Sequence, residues 1–263
     1  MFHKLQIIPI SAFKDNYIWL LHNDMQAIVV DPGDATPVLA TLNRLNLQLH
    51  SILITHHHHD HIGGVEALMQ TFPSVQVYAP SQEKYHFKHM PVSEPHTIQF
   101  DDFYHHNQPL IFSIIDLPGH TLGHIAYYAD GILFCGDTLF GAGCGRLFEG
   151  TPEQMYASLQ KLAGLASDTL VFCTHEYTLH NIHFALTLEP NNEALIARLA
   201  NTQALRMNNQ PSLPSNIHLE LTTNPFLRCH TLGFQQAIQH SVALNATNPL
   251  AIFTAIRQMR NHY

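Results

Sequence analysis

The chain has 263 residues, of which 46% are hydrophobic and 12% are charged, which favours a folded globular protein over a disordered one. A formal net charge of −8 argues against a surface built to bind nucleic acid or an anionic membrane. The four cysteines form no Cys-x-x-Cys pair, no apolar run is long enough for a membrane span, and the N-terminal apolar stretch is too short for a signal peptide. We expect a cytoplasmic monomer without disulfides.

Predicted strands and helices alternate through the first two-thirds of the chain. Short apolar runs bounded by turn residues predict strands at 5–10, 17–21, 27–30, 51–54, 111–116, 124–128, 132–135 and 169–173. Helices are predicted at 37–45, 65–69 and 152–162. After about residue 178 the pattern changes to helices at 180–188 and 193–207, a weak strand signal at 217–221, and a last helix with Asn248 as N-cap and Pro249 at its first position.

The segment after the strand at 51–54 is rich in metal-ligand residues, since 55–61 reads Thr-His-His-His-His-Asp-His. In an extended stretch alternate side chains point the same way, so His56 and His58 can converge on one ion. Asp60 and His61 turn toward a second ion as the chain enters the next helix. The intervening histidines fall out of phase and are not expected to be ligands. The glycine pair at 63–64 is expected to relieve crowding where the backbone bends.

Three further ligand-type residues follow apolar runs in the same way. His120 comes after the strand at 111–116, Asp137 after the strand at 132–135, and His175 after the strand at 169–173. A surface histidine tract that binds metal adventitiously would not repeat this placement. The seven residues together predict a two-metal hydrolytic site. Zinc is the predicted metal, and iron or manganese also suits histidine and aspartate ligands.

Several segments give the chain a resemblance to a known family. Residues 55–64 and 118–123 resemble the metallo-β-lactamase superfamily, whose signature is Thr-His-x-His-x-Asp-His. The segments 135–150, 174–178 and 224–228 narrow the resemblance to glyoxalase II, the hydroxyacylglutathione hydrolases. The resemblance implies an α+β fold: a four-layer αββα sandwich with a C-terminal α-helical domain. It also implies a catalytic domain at 1–177 and a helical substrate-recognition domain at 178–263.

The resemblance further implies an arrangement of the ligands and a reaction. His56, His58 and His120 are implied for the first metal, Asp60, His61 and His175 for the second, and Asp137 as a bridge. A hydroxide held between the metals and oriented by Asp60 would attack a thioester. The implied substrate is an S-(2-hydroxyacyl)glutathione. S-D-lactoylglutathione, cleaved to glutathione and D-lactate, would make this the second step of methylglyoxal detoxification.

The last helix carries two arginines at neighbouring positions, Arg257 and Arg260. Their spacing alone favours a solvated helix face, but the resemblance implies that they bind a glutathione carboxylate, which suits the paired donors of arginine. The resemblance also places Arg146 and Tyr177 beside the substrate, although Tyr177 also suits plain packing. Arg146 stands where the family often has Lys, and Phe148 where it often has Tyr, so substrate affinity depends on residues that differ here.

Four alternatives remain open from the sequence. One is another metallo-β-lactamase-fold hydrolase, such as a lactonase or β-lactamase. A second is a glutathione persulfide dioxygenase, which uses a single iron. A nuclease of the same fold is disfavoured by the negative charge. A non-enzymatic protein with a relic site is disfavoured because all seven ligands are present.

Overall fold

The computed structural model describes residues 5–244 and 246–263. They form two compact units. The first unit comprises the described residues of Met1–Asp116 together with Gly123–Gly136, and the second comprises Leu117–Leu122 and the described residues of Asp137–Tyr263. Residues 1–4, which precede the predicted first strand, lie outside the described residues.

The first sheet of the first unit has six strands in sequence order. They are β1 (Gln6–Ala12), β2 (Asn16–His22), β3 (Gln26–Val30), β4 (Gln48–Leu53), β5 (Gln76–Pro80) and β6 (Met90–Val92). Strands β1 to β3 are antiparallel, and β3 to β6 are parallel. The C-terminal ends of β3, β4 and β5 therefore lie at one edge, where Val30 pairs with Leu53 and Leu53 with Tyr78.

Three helices accompany this sheet: α1 (Ala35–Leu45), α2 (His59–Ile62) and α3 (Val65–Thr71). The Asp34 side chain caps α1 by accepting a hydrogen bond from Thr36 N. Val38 and Leu42 of α1 and Leu68 of α3 are buried in one hydrophobic cluster with the sheet. This packing confirms the predicted helices at 37–45 and 65–69 and makes the sheet a rigid support for the segment that follows β4.

The second sheet contributes four antiparallel strands to the first unit. In chain order they are β7 (Thr97–His105), β8 (Gln108–Asp116), β9 (Ile125–Ala129) and β10 (Ile132–Gly136). Side chains join it to the first sheet, since the Tyr127 hydroxyl donates to Ile54 O at 2.8 Å and the rings of Tyr78 and Phe100 meet edge to face. Burial raises the pKa of Tyr127 well above its usual value, so the phenol keeps its proton and remains a donor.

The second unit is mainly helical. Its strands are β11 (Leu139–Phe140), β12 (Gly143–Cys144), β13 (Leu170–Cys173) and β14 (Ser215–Asn216). Its helices are α4 (Pro152–Ala163), α5 (Thr178–Leu188), α6 (Glu193–Met207), α7 (Ile217–Thr223), α8 (Leu232–Val242) and α9 (Pro249–His262), with a 3-10 turn at Pro225–Leu227. Asn248 caps α9 as predicted, accepting from Leu250 N and Ala251 N. Among the described residues, no helix is both long and apolar enough to cross a membrane.

The strand signal at 217–221 is wrong, because this segment is α7. The side chain of Asn216 accepts a hydrogen bond from Leu219 N and starts a helix. Glu220 then becomes a fully buried acceptor: it binds Arg198 at 2.6 Å and the backbone N of Ala142 at 2.9 Å. Partners so distant in sequence give no local signal. The network anchors the β11–β12 hairpin, which carries part of the site described below.

Candidate metal centre and substrate pocket

His56 and His58 lie where the chain leaves β4 and enters α2. The ring nitrogens His56 Nε2 and His58 Nδ1 are 3.0 Å apart, and His56 is fully buried. Two imidazole nitrogens directed at one point are what two ligands of a single cation require. The alternation predicted for these two histidines is therefore present in the structure.

Asp31 is the residue of this region that sequence reasoning missed. Its buried carboxylate accepts hydrogen bonds from Thr55 N and from the Thr55 hydroxyl, both at 2.8 Å. Because that hydroxyl donates to Asp31, its lone pair is left to accept from His56 Nδ1 at 3.1 Å. His61 Nδ1 lies 3.0 Å from Oδ2 of the same carboxylate, the oxygen that also accepts from the Thr55 hydroxyl. The hydrogen bond to Thr55 assigns the proton of His56 to Nδ1 and directs its Nε2 as an electron-pair donor. For His61, the carboxylate charge close to Nδ1 favours a proton on that nitrogen and leaves the lone pair on Nε2.

Asp60 and His61 differ sharply in exposure. The His61 side chain is fully buried, whereas 40% of the Asp60 side chain is exposed. Asn16 donates to Asp60 Oδ2 at 3.0 Å, and that oxygen lies 3.7 Å from His61 Nε2. Asp60 is thus held in place by an amide and also reachable by water. Asn16, at the start of β2, is a second residue of the site that no sequence pattern predicted.

The out-of-phase histidines have other surroundings. His57 Nδ1 lies 3.2 Å from the buried carboxylate of Glu83, and His59 is exposed. A Cβ at Gly64 would lie 2.5 Å from Ala35 N, so the glycine pair does allow the close approach expected of it.

In the second unit, two histidines converge on one carboxylate. His120 Nε2 lies 3.4 Å and His175 Nε2 lies 3.3 Å from Asp137 Oδ2, and all three residues are buried. His120 Nδ1 lies 2.9 Å from Arg146 O. A carbonyl only accepts, so the proton lies on Nδ1 and Nε2 carries the lone pair. A Cβ at Gly145 would lie 1.9 Å from Asp137 O, which explains why the hairpin has glycine there.

The histidines and aspartates of the two units together supply the side chains that could ligate a metal ion. In the described part of the chain, the groups of His and Asp side chains that could hold a metal ion have seven members: His56, His58, Asp60, His61, His120, Asp137 and His175. They are the seven residues predicted from the sequence. Buried imidazole nitrogens with fixed protonation, together with carboxylates, are a donor set that fits divalent metal ions such as zinc, iron or manganese.

A pocket of about 460 Å³ opens beside His120 and Asp137 in the second unit. Its wall includes aromatic rings: Tyr177 stacks on His175 with ring centres 4.6 Å apart, and Phe140 meets both rings edge to face. Phe148, which is 63% exposed, also lines the pocket. These rings make part of the pocket wall apolar.

The pocket is also lined by the predicted arginines, Arg146, Arg257 and Arg260. The solvated helix face that spacing alone favoured is wrong for Arg257, which is only 4% exposed and donates to Cys144 O at 2.7 Å. Arg260 donates to Asn181 Oδ1 at 3.1 Å. Burial and the neighbouring arginines lower the pKa of Arg260. The three cations make the pocket suited to carboxylates.

Cys144 also lines the pocket but is not placed as a nucleophile. Burial raises the pKa of its thiol, and the nearby Arg257 offsets this only in part. The thiol form is therefore favoured at neutral pH, and a thiol is a poor nucleophile.

The fold and the donor set define a class of protein. Residues 13–175 match the metallo-β-lactamase superfamily, and residues 176–263 match the hydroxyacylglutathione hydrolase C-terminus. Among solved structures, the chain is similar to the BLEG-1 B3 metallo-β-lactamase, with a TM-score of 0.60 and 25% identity over 85% of this chain and 99% of that one. The chain has the metallo-β-lactamase fold, of mixed sheets and helices, with a helical C-terminal domain.

Curated relatives narrow the class to one family. The chain is 57% identical to a hydroxyacylglutathione hydrolase of Methylobacillus flagellatus, over 98% of this chain and 99% of the relative. It is 48% identical to a hydroxyacylglutathione hydrolase of Nitrosomonas eutropha, over 98% of this chain and 99% of that relative. This chain belongs to the hydroxyacylglutathione hydrolase family, which is also called glyoxalase II.

Proposed function

We propose that the chain hydrolyses the thioester bond of S-(2-hydroxyacyl)glutathione, releasing glutathione and a 2-hydroxy acid. S-D-lactoylglutathione is the proposed substrate and D-lactate the acid, which makes the reaction the second step of methylglyoxal detoxification. Membership of the hydroxyacylglutathione hydrolase family supports the reaction.

One observation carries the assignment to this substrate class. A single pocket of about 460 Å³ is lined both by His120 and Asp137 and by the three arginines. Glutathione carries two carboxylates and a thiol, so its thioester has anionic groups at a distance from its reacting carbon. One pocket that holds both metal-ligating residues and guanidinium groups can receive the reacting carbonyl and the anionic groups of such a substrate together.

We propose that the seven residues hold two divalent metal ions, zinc by preference. His56, His58 and His120 would hold the first ion, Asp60, His61 and His175 the second, and Asp137 would bridge them. The convergent nitrogens of His56 and His58, and the position of Asp137 Oδ2 within 3.4 Å of two imidazoles, support this grouping. Bound ions would polarise the thioester carbonyl and lower the pKa of water enough to provide a nucleophile at neutral pH.

The residues of the chain would orient this chemistry. Asp60, anchored by Asn16 and open to solvent, would accept a hydrogen bond from the attacking water and direct its lone pair at the carbonyl carbon. Asp31 and the carbonyl of Arg146 keep the ligand histidines in the required tautomer. The C–S bond then breaks and the sulfur leaves as a thiolate. A thiol pKa of about 8.5 makes this leaving group good without a strong general acid.

The arginines would bind the glutathione part of the substrate. Arg146 and Arg260 are at least partly exposed and can reach a carboxylate, whereas Arg257 is buried and also holds the Cys144 carbonyl. Tyr177 would contact the substrate from its stacked position on His175. Phe148 supplies an aromatic face without a hydroxyl, so any hydrogen bond that a tyrosine would make at this position is lost.

Three broader proposals accompany the reaction. We propose a catalytic domain at 1–177 and a recognition domain at 178–263, which the two family matches meeting between residues 175 and 176 support. We also propose that the chain works as a monomer, and that it works in the cytoplasm. None of its four cysteines forms a disulfide, which favours a reducing compartment.

The experiment that tests the proposal is hydrolysis of S-D-lactoylglutathione by the purified protein, with metal content measured on the same sample. We expect rapid loss of thioester absorbance with about two metal ions per chain. Two bound ions without hydrolysis would overturn the glutathione substrate and leave another hydrolase of this fold. One iron per chain with oxygen uptake and no hydrolysis would replace the reaction with that of a persulfide dioxygenase.

A further inference from the structure

His180 lies in the first turn of α5, and the proposed reaction assigns it no role. Its side chain lines the same pocket as Arg146, Arg257 and Arg260. The residue is exposed, and its ring centre lies 5.5 Å from that of Tyr263. A ligand that enters the pocket can therefore reach the imidazole, and packing of the helix does not depend on it.

The surroundings of His180 are mainly cationic. The charged and titratable groups that line the pocket or act on the ring are His120, Asp137, Cys144, Arg146, Tyr177, His183, Arg257, Arg260 and Tyr263. Partial desolvation of the ring, then the charges of Arg260 and His183, lower the pKa of His180 below its usual value. At neutral pH the ring is therefore neutral, and it offers one N–H donor and one acceptor to the pocket.

A bound carboxylate changes this balance. An anion placed among the arginines offsets the positive potential that keeps His180 neutral and favours the imidazolium. By linkage, a ligand that raises the affinity of His180 for a proton binds more tightly as the pH falls toward the pKa of His180 in the complex. The gain is complete once the pH is below the pKa of His180 in the protein without ligand.

We propose that His180 is a specificity-determining residue that donates a hydrogen bond to a carboxylate of the glutathione moiety and takes up a proton from solvent when that carboxylate binds. This inference rests on the proposed function, because it names the part of the substrate that His180 recognises. Recognition of a carboxylate by His180 would restrict the substrates to thioesters whose thiol component carries carboxylates. Thioesters of uncharged thiols would gain nothing from His180.

Steady-state kinetics on S-D-lactoylglutathione between about pH 5.5 and about pH 8 test the proposal. His180→Ala should raise KM about fivefold at pH 7, with kcat within about twofold of wild type, since a hydrogen bond to the carboxylate is lost. His180→Gln keeps a donor but cannot titrate. It should restore KM near pH 8 and lack the fall in KM, about threefold to tenfold, that the wild type shows on acidification.

His218→Ala is the matched control, since His218 is an exposed histidine on α7 that neither lines the pocket nor is among the groups that lower the pKa of His180, and it should keep the wild-type KM profile. A His180→Ala enzyme with the wild-type KM at every pH would overturn the proposal. An undiminished acidic fall of KM in His180→Gln would also overturn it.

Calorimetry separates this inference from the proposed function. S-hexylglutathione has no thioester, so its binding can be measured in buffers of different ionisation enthalpy whether or not the protein is a hydrolase. The wild type should take up a fraction of a proton on binding near pH 7, and His180→Ala should take up none. Absence of hydrolysis in the wild type would refute the proposed function, whereas binding without proton uptake would refute the role of His180.

Discussion

Asp31→Asn is the substitution whose effect the structure defines most closely. The Asp31 carboxylate accepts from Thr55 N and the Thr55 hydroxyl at 2.8 Å and lies 3.0 Å from His61 Nδ1. Asn keeps the shape but removes the charge. Charge-assisted hydrogen bonds contribute about 1 kcal/mol more than neutral ones, and an amide accepts on one side only, so one hydrogen bond to Thr55 is weakened and the other is lost. Together these changes predict a loss of about 3 kcal/mol in the free energy of unfolding.

The same change should act on the metal ligands. Without the charge, nothing holds the proton of His61 on Nδ1, and the Thr55 hydroxyl is no longer fixed as the acceptor for His56. A proton on Nε2 of either ring blocks ligation. We expect metal affinity to fall about 10-fold to 100-fold, as for other residues that orient metal-bound histidines. Chelator competition would measure the affinity, and urea denaturation of the metal-free protein would measure the stability.

Asp34→Asn is the matched control for this substitution. It makes the same chemical change three residues away, at an N-cap position where asparagine works as well as aspartate. Its stability should stay within about 0.5 kcal/mol of wild type, with metal affinity unchanged. If Asp31→Asn matched Asp34→Asn in both measurements, the reasoning about the protonation state of the histidines would be refuted.

Three other predictions follow from the site. His58→Ala and Asp137→Ala should each abolish turnover and reduce bound metal, and full activity with two metals in either variant would contradict the ligand assignment. Arg260→Ala should raise KM about tenfold with little change in kcat; Arg257→Ala should also lower the free energy of unfolding by about 2 kcal/mol, because its buried guanidinium holds the Cys144 carbonyl. A KM unaffected by both would remove the arginines from substrate binding. Removal of metal by a chelator should abolish hydrolysis and lower the thermal midpoint, and zinc should restore both; hydrolysis by fully metal-free protein would disprove metal dependence.

Local sequence was enough to predict most elements of the fold. The helix at 193–207 has the predicted bounds, and α9 begins at Pro249 with Asn248 as its cap. Capping residues, glycine positions and apolar runs act within a few residues of one another, so their physical effect can be predicted without the tertiary structure. The prediction at 217–221 was wrong, and the segments of β5, β6, β7 and α8 were not predicted. At 217–221 the N-cap Asn216 is a local signal that was missed, whereas the buried carboxylate of Glu220 has partners as far away as Ala142.

For the metal-ligating residues, the sequence by itself determined which side chains could take part. Their spacing in 55–61 and their positions after three further strands can be seen in the sequence itself. The groups of side chains that could hold a metal ion in the structure contain the same seven residues. Only the tertiary structure decided how these side chains are oriented. Parallel pairing of β3 with β4 places Asp31 beside Thr55, 24 residues later, and packing of α9 buries Arg257 against the Cys144 carbonyl. The position of Asp31 and the burial of Arg257 both depend on which segments pack together. Burial and hydrogen bonding between residues distant in sequence determine that packing.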